Sequence, residues 1–271
     1  MEENVHIIPL GIEYDRAIVP FKDQEGFRPN RVYLLTIQSS GYAPSIMTEE
    51  HIEKAERVKE FLESLNIKVI VIDTKLIDIL DVMHKIANII YREKVEGNNI
   101  YINISSAGRL TSVGATLAGM FHNVKVYYVK ATRYSKTEEE REQHGITICE
   151  NRDIIFLENF QITMPDEIEL KVLVEIYKKG KMRTIDVIRF LYESEVNGFD
   201  VDYYEIRKRS EKTALIMKVN RNILDKLETM GYLNKIKLGR ENEFKLTESG
   251  MYIASISGLM QIKPEEIIEK S

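Results

Sequence analysis

The chain has 271 residues, 44% of them apolar, with 38 basic and 43 acidic side chains and a net charge of −5, which is enough to bury one large core or two modest ones. Its one cysteine, Cys149, excludes an internal disulfide and any zinc cluster built on paired thiolates, and fits a reducing, cytoplasmic setting. No apolar run approaches the roughly 20 residues of a membrane helix, and the start MEENVHIIPLG lacks the basic region and cleavage site of a signal peptide, so a soluble protein without membrane contact is expected.

From the N-terminus, β-rich runs alternate with segments of helical period. NVHIIPLG and RVYLLTI read as the first two strands. TEEHIEKAERVKEFLESLN places Ile52, Ala55, Val58, Phe61 and Leu62 on one face of a helix opened by Thr48, and IKVIVID follows as a strand. LIDILDVMHKIANIIYREKV is a second amphipathic helix, NNIYINIS a strand, LTSVGATLAGMF a helix and VKVYYVK a strand. Such alternation implies a parallel sheet covered on both faces, and HIIPL, VIVI and VYYV are continuous apolar runs of the kind those strands need. A Rossmann-like α/β domain is expected over residues 1–131.

In these sheets ligands bind beyond the carboxyl ends of the strands, where strand order reverses. The fourth strand runs straight into NISSAGR. There Asn103, Ser105 and Ser106 offer amide and hydroxyl groups, Ala107 and Gly108 allow close approach to the backbone, and Arg109 adds a charged fork at a helix start suited to phosphate. The competing reading is that Ser105 or Ser106 only caps that helix. After the first strand comes Gly11 at a turn and Arg16 on the opening helix, where Arg16 either contacts phosphate or pairs with Glu13 or Asp15. After the second strand come Ser39, Ser40 and Gly41. Three small polar turns along one edge point to a nucleotide-like ligand. No GxGxxG or Walker pattern is present, so no nicotinamide cofactor is expected.

Residues 132–165 read as a connecting segment whose charged stretch SKTEEEREQHG lies on the surface. His144 within it reads as solvent-facing or capping rather than as a general base. His6, His51, His84 and His122 show no metal-ligand spacing, and no Ser/His/Asp set can be assembled, so neither a metal site nor a catalytic residue is named.

Residues 166–271 change character. Pro165 precedes a helix with Asp166, Glu167 and Glu169 in its first turns and lysines in its last. TIDVIRFLYES is a second helix, and KTALIMKVNRNILDKLETMGYL a third whose apolar side carries Leu215, Val219, Ile223, Leu227 and Met230. NKIKLGRENEFKLTESG is two short strands around a charged loop. Residues 203–247 hold 11 basic and 6 acidic side chains, a local excess at which a polyanion can dock. Three helices followed by a basic hairpin resemble the winged helix-turn-helix of prokaryotic transcriptional regulators. That resemblance implies a third helix in the DNA major groove, with Lys212, Thr213, Lys218 and Arg221 toward it, and a wing whose Lys235, Lys237, Arg240 and Lys245 touch phosphate. The link SEVNGFDVDYYEIRKRSE before the third helix is longer than the tight turn usual there.

A Rossmann-like domain whose fourth-strand turn reads NISSAGR, followed by a winged helix, resembles the CARF (CRISPR-associated Rossmann fold) family, specifically its archaeal winged-helix transcriptional regulators, over nearly the whole chain. The resemblance implies a homodimer whose pocket, formed across the two-fold axis, holds a cyclic oligoadenylate such as cyclic tetra-adenylate as effector, with no cofactor. It implies Gly11, Arg16, Ser105, Ser106, Gly108 and Arg109 as the ligand set, with Ser39, Ser40 and Asn103 beside them. Where the common family motif has a Gly-Gly pair after the serine, this chain has Ser106, Ala107 and Gly108. The expected function is a ligand-responsive transcriptional regulator on duplex DNA. The competing expectations are a ring nuclease cleaving the cyclic ligand in the same pocket, and a regulator whose first domain only dimerises.

Overall fold

The structure, a computed structural model, describes residues 2–22, 27–37, 45–159, 164–238 and 241–268. Ser39, Ser40 and Arg240 of the expected sites lie outside the described residues. In chain order the first elements are β1 (Asn4–Pro9), α1 (Tyr14–Ile18), β2 (Arg31–Thr36), α2 (Ser45–Ser64), β3 (Lys68–Asp73), α3 (Ile79–Val95), β4 (Asn99–Asn103), α4 (Arg109–Phe121) and β5 (Lys125–Val129). β6 (Arg133–Tyr134), α5 (Glu138–His144), β7 (Thr147–Ile148) and β8 (Ile154–Leu157) follow. Then come α6 (Glu167–Lys179), β9 (Met182–Arg183), α7 (Thr184–Glu193), α8 (Arg209–Val219), α9 (Asp225–Thr229), β10 (Leu233–Leu238), β11 (Glu241–Leu246), α10 (Glu248–Ile256) and β12 (Ile267–Ile268).

The chain divides into two compact units, one of residues 1–162 with 261–271 and one of residues 163–260. In the first unit a sheet runs in the order β12-β3-β2-β1-β4-β5-β8. The five strands from β3 to β5 are parallel, and the edge strands β12 and β8 are antiparallel to their neighbours. Burial follows the apolar runs: Val5, Ile7 and Ile8 of β1 and Ile102 of β4 are fully enclosed, each contributing about 1.5–3 kcal/mol of transfer free energy. α3 is started by Asp78, whose carboxylate accepts from the amides of Leu80 at 3.0 Å and Asp81 at 3.4 Å. It buries Val82, Met83, Ile86, Ala87, Ile89 and Ile90. α2 begins at Ser45, so Thr48 lies inside the helix rather than at its cap.

Two segments sit differently from the expected boundaries. β6 and β7 pair antiparallel, and β8 extends the first sheet beside β5, so residues 133–157 are built into the first unit rather than serving only as a connection. The end of the chain also returns to that unit, where β12 covers the edge of β3. The buried ammonium of Lys85 helps hold it there, with Asp81 at 3.1 Å, Glu266 at 3.2 Å and the carbonyl of Asp73 around it.

The second unit is a winged helix: α6, β9, α7, a long third helix, then the hairpin of β10 and β11, which pairs antiparallel with β9. α6 opens with a reciprocal cap in which Asp166 and Glu169 each accept the other's amide at 2.9 Å. The third helix is α8 and α9 joined by a π-helical turn over Asn220–Leu224. The long link before it is tied down rather than loose. Val196 and Phe199 enter the core, while Lys218 lies 4.6 Å from the ring of Phe199, Lys212 4.9 Å from Tyr203 and Arg189 5.0 Å from Tyr204.

Candidate functional site

β1 has β2 on one side and β4 on the other, so strand order reverses between β1 and β4 and their carboxyl ends open a crevice. The amide of Gly11 donates to the carbonyl of Ser106 at 2.9 Å, joining the two turns. A Cβ on Gly11 would lie 3.3 Å from that carbonyl oxygen, a tight approach, and 3.9 Å from Nε2 of His51 on α2, an ordinary contact.

The residues of the β4 turn divide into two roles. Oδ1 of Asn103 accepts from the Ser105 amide at 2.9 Å and from the Ser105 hydroxyl, while its Nδ2 donates to the carbonyl of Arg16 at 2.8 Å. Oγ of Ser105 accepts from the amide of Val129 at 3.0 Å. Asn103 and Ser105, expected as ligand contacts, are thus buried and committed to shaping the turn. Ser106 is fully buried and its Oγ has no hydrogen-bond partner among the described residues. Gly108 is the residue that starts α4, without a side-chain cap, so neither serine performs the capping role set against ligand binding. Gly108 and Arg109 are exposed beside the uncapped helix start.

Arg16 is not paired with Glu13 or Asp15 but held by hydrogen bonds to neighbouring segments. Its Nε donates to Oγ1 of Thr147 at 2.8 Å, and its Nη1 to the carbonyl of Ser105 at 3.2 Å and the hydroxyl of Tyr128 at 2.9 Å. It ties the β4 turn to β5 and β7. Its neighbours do similar work. Oε2 of Glu13 accepts from the amide and hydroxyl of Thr147 at 3.0 and 2.9 Å, and burial raises the carboxyl's pKa against the pull of those bonds. The buried Asp15 accepts from the Cys149 amide at 3.0 Å and meets Nδ1 of His144 at 3.1 Å. His144, expected to face solvent or cap, is instead oriented by a carboxylate. Burial, with the charge of Asp15 adding to it, pushes the Cys149 thiol up to about 11, so this cysteine is packing.

The same segment crosses closely over α1: Gly145 has φ +95° and a Cβ there would sit 2.6 Å from the Ile12 carbonyl. Beside it a cavity of about 830 Å³ opens between α2 and α5, with Ile12, Lys54, Arg57 and Glu142 in its lining. Lys54 and Arg57 donate to the carbonyls of Glu142 and Gln143 at the end of α5, and Glu50, Glu53, Glu138, Glu139 and Glu142 in the same lining set carboxylates against their charge. The crevice at residues 105–109 has the better chemistry.

In the winged helix, several expected DNA contacts are turned back onto the chain. Lys218 donates to the carbonyl of Gly198 at 2.6 Å, Lys212 lies over Tyr203, and Lys235 pairs with Asp225 at 3.1 Å and Glu228 at 3.7 Å. Thr213 donates its hydroxyl to the Arg209 carbonyl at 2.9 Å. Arg221, Lys237 and Lys245 are exposed. Three exposed basic residues, Arg207, Lys208 and Arg209, gather at the start of α8, with Lys208 paired to Glu211 at 3.0 Å. Starting the helix at Lys212 hides them, although the run IRKRS is visible in the sequence.

Residues 4–134 match the family profile described as HFX_2341_N-like, N-terminal. Residues 168–258 match the one described as DUF6293 C-terminal winged helix domain. No curated protein matches the chain. Among solved structures, protein VC1899 from Vibrio cholerae is 10% identical with a TM-score of 0.40, over 93% of this chain and 64% of that one. Can2 from Sulfobacillus thermosulfidooxidans, in complex with cyclic tetra-adenylate, is 13% identical with a TM-score of 0.40, over 93% and 63%. Enterococcus italicus Csm6, bound to cyclic hexa-2'-fluoro-hexa-dAMP, is 11% identical with a TM-score of 0.38, over 85% and 59%. The chain spans less than two thirds of the length of each, and likenesses of this size bear no weight on function.

Proposed function

We propose that this chain, an HFX_2341_N-like N-terminal domain joined to a DUF6293 C-terminal winged helix domain, is a ligand-responsive transcriptional regulator that binds duplex DNA as a homodimer and senses a cyclic oligonucleotide at the β1–β4 crevice. The observation that carries the reading is the open start of α4. Gly108 leaves its first turn uncapped, Arg109 stands exposed beside it, and the buried Ser106 hydroxyl has no partner among the described residues. An anion seated there meets free N–H groups and a favourable dipole. An unmet buried hydroxyl costs about 1–3 kcal/mol, a cost that a ligand oxygen offsets.

The outer face of α4 carries Leu110, Val113, Leu117 and Met120 at helical spacing, and Leu110 and Val113 are 49% and 51% exposed. Pairing two such stripes about a two-fold axis buries them and brings two crevices together. A ring of phosphates suits a pocket of that symmetry, and cyclic oligoadenylate as its identity rests on the NISSAGR resemblance. Two winged helices related by the same axis read a palindrome with half-sites about one DNA turn, ~34 Å, or a multiple of it apart.

The test is operator affinity with and without cyclic tetra-adenylate, after thermal shift has shown which cyclic oligoadenylate binds. Coupling of ordinary size changes affinity about 5- to 150-fold. Equal operator affinity with ligand bound removes the sensing function, and no retention on any duplex at low salt removes the regulator. One observation favours ring cleavage as a second reading: Asp15 holds Nδ1 of His144, an arrangement that leaves Nε2 to accept a proton. Chromatography of the cyclic ligand after incubation decides that point.

A further inference from the structure

The outward face of α8 is the least charged part of the basic stretch. At helical spacing it presents Ser210, Thr213, Ala214, Met217 and Arg221, all exposed, while Val219 on the opposite side is fully buried. Met217 stands near the middle of this face at 65% exposure, a large apolar side chain where a merely solvated helix would carry a polar one. Thr213 has committed its hydroxyl proton to the Arg209 carbonyl, which leaves a methyl group and a lone pair for anything in front of it. Lys212 and Lys218 turn toward the rings of Tyr203 and Phe199, at 4.9 and 4.6 Å.

Cations remain around the face. Arg207 and Arg209 lie at one end, Arg221 at the other, and Lys237 and Lys245 on the wing strands, all exposed. An apolar centre with a cationic surround complements the DNA major groove, whose walls are phosphate and whose floor carries the C5-methyl of every thymine. The bidentate partners of guanine and adenine are guanidinium, ammonium or amide side chains, which the centre of this face lacks, whereas alanine and the threonine methyl are the kind of group that meets a thymine methyl.

We propose that α8 reads thymine methyl groups: Met217, flanked by Ala214 and the Thr213 methyl, packs on the methyls of neighbouring thymines, and Arg221, one helical turn further on, contacts a guanine edge. The proposal rests on the DNA-binding reading above and adds what is selected, a half-site with a thymine-rich centre flanked by guanine.

The test starts with the full chain selecting duplexes from a random-sequence pool at low salt. The selected duplex is then titrated against versions in which single thymines are replaced by uracil, which lacks only the methyl. Burial of one methyl corresponds to roughly a fourfold preference, so at least one uracil per half-site weakens binding by about that factor. Met217→Ala, at an exposed position, folds normally and binds thymine and uracil versions alike. Equal binding of every uracil version by the unsubstituted chain, or a uracil penalty undiminished in Met217→Ala, overturns the proposal and leaves duplex binding standing. Retention of no duplex overturns the DNA-binding reading and this proposal with it.

Discussion

The Gly11 amide and the Ser106 carbonyl, 2.9 Å apart, make one piece of the turns after β1 and β4. A Cβ at Gly11 would crowd that carbonyl at 3.3 Å and touch the Cα of Ala107 at 3.6 Å, and the further methyls of a valine have to find room beside them. Gly11→Val should therefore destabilise the first unit by about 1–3 kcal/mol, as overpacking does, and Gly11→Ala by less. Thermal unfolding of the two variants against the parent checks the order.

Gly108 is different, because nothing among the described residues lies within 4 Å of the Cβ it would gain. Gly108→Val should lower stability only by the roughly 0.5–1 kcal/mol that a β-branched residue costs at a helix start, while losing affinity for cyclic tetra-adenylate through steric exclusion at the crevice. Arg109→Ala should lose a charge-assisted contact, about 10- to 150-fold in affinity. Calorimetric titration of both variants is the check, and unimpaired binding by both places the ligand elsewhere.

Sedimentation of Val113→Glu and Leu110→Glu tests the dimer. Both positions are about half exposed, so a carboxylate is tolerated in a single subunit and is desolvated only when two α4 faces meet. Each variant should remain folded and sediment as a monomer, with loss of cyclic ligand binding alongside.

Acid should weaken the first unit through His6. The ring is fully buried, stacked 4.8 Å from Tyr101 and edge-on to Phe21 and Phe27 at 5.0 and 4.6 Å, and burial lowers its pKa from 6.5 to about 3. Between those values the unfolded chain holds a proton that the folded chain refuses. Stability is therefore full above about pH 6.5 and falls as pH drops from there toward 3, by up to about 1.4 kcal/mol per unit from this residue. Urea unfolding between neutral pH and pH 4.5 should give a shallower slope for His6→Phe than for the parent; identical slopes assign the acid sensitivity to other groups.

Two wing lysines separate contact from support. Lys237 is exposed, and Lys237→Ala should weaken binding to every duplex alike and reduce the salt slope by about one. Lys235 is engaged by Asp225 and Glu228, so Lys235→Ala should instead change stability by under about 1 kcal/mol and leave the slope nearly unchanged. Arg221→Ala should relax sequence choice. Filter binding across a salt series distinguishes the three.

The sheet was legible because short, β-branched apolar runs such as HIIPL and VIVI alternate with segments of helical period, and the helices because their caps, Asp166 with Glu169 among them, are local signals. The position of the crevice follows from the strand–helix order. Which polar residues of the β4 turn face outward does not, because Asn103 and Ser105 find their partners at Arg16 and Val129, far along the chain. Arg16 and His144 were unreadable for the same reason: Thr147 and Asp15 become neighbours only when residues 133–149 fold across α1. The placing of Lys212 and Lys218 depends on aromatic residues in a link whose length was visible but whose path was not.

The return of the chain end to the first sheet governs how the protein can be cut apart. With β8 on one side and β12 on the other, both flanks of the parallel strands are occupied by short antiparallel pieces. A fragment stopping at residue 162 keeps β8 but loses β12 and Glu266, which bares the backbone of β3 and takes one carboxylate from the buried Lys85. A bare strand edge pairs with its own kind, so such a fragment would tend to precipitate as stacked copies. A soluble version of the sensing half needs residues 261–268 restored through a linker long enough to cross from the β8 edge to the place of β12 beside β3, about 29 Å at about 4.8 Å per strand, and an insoluble short fragment would say nothing against the domain's ability to bind a ligand.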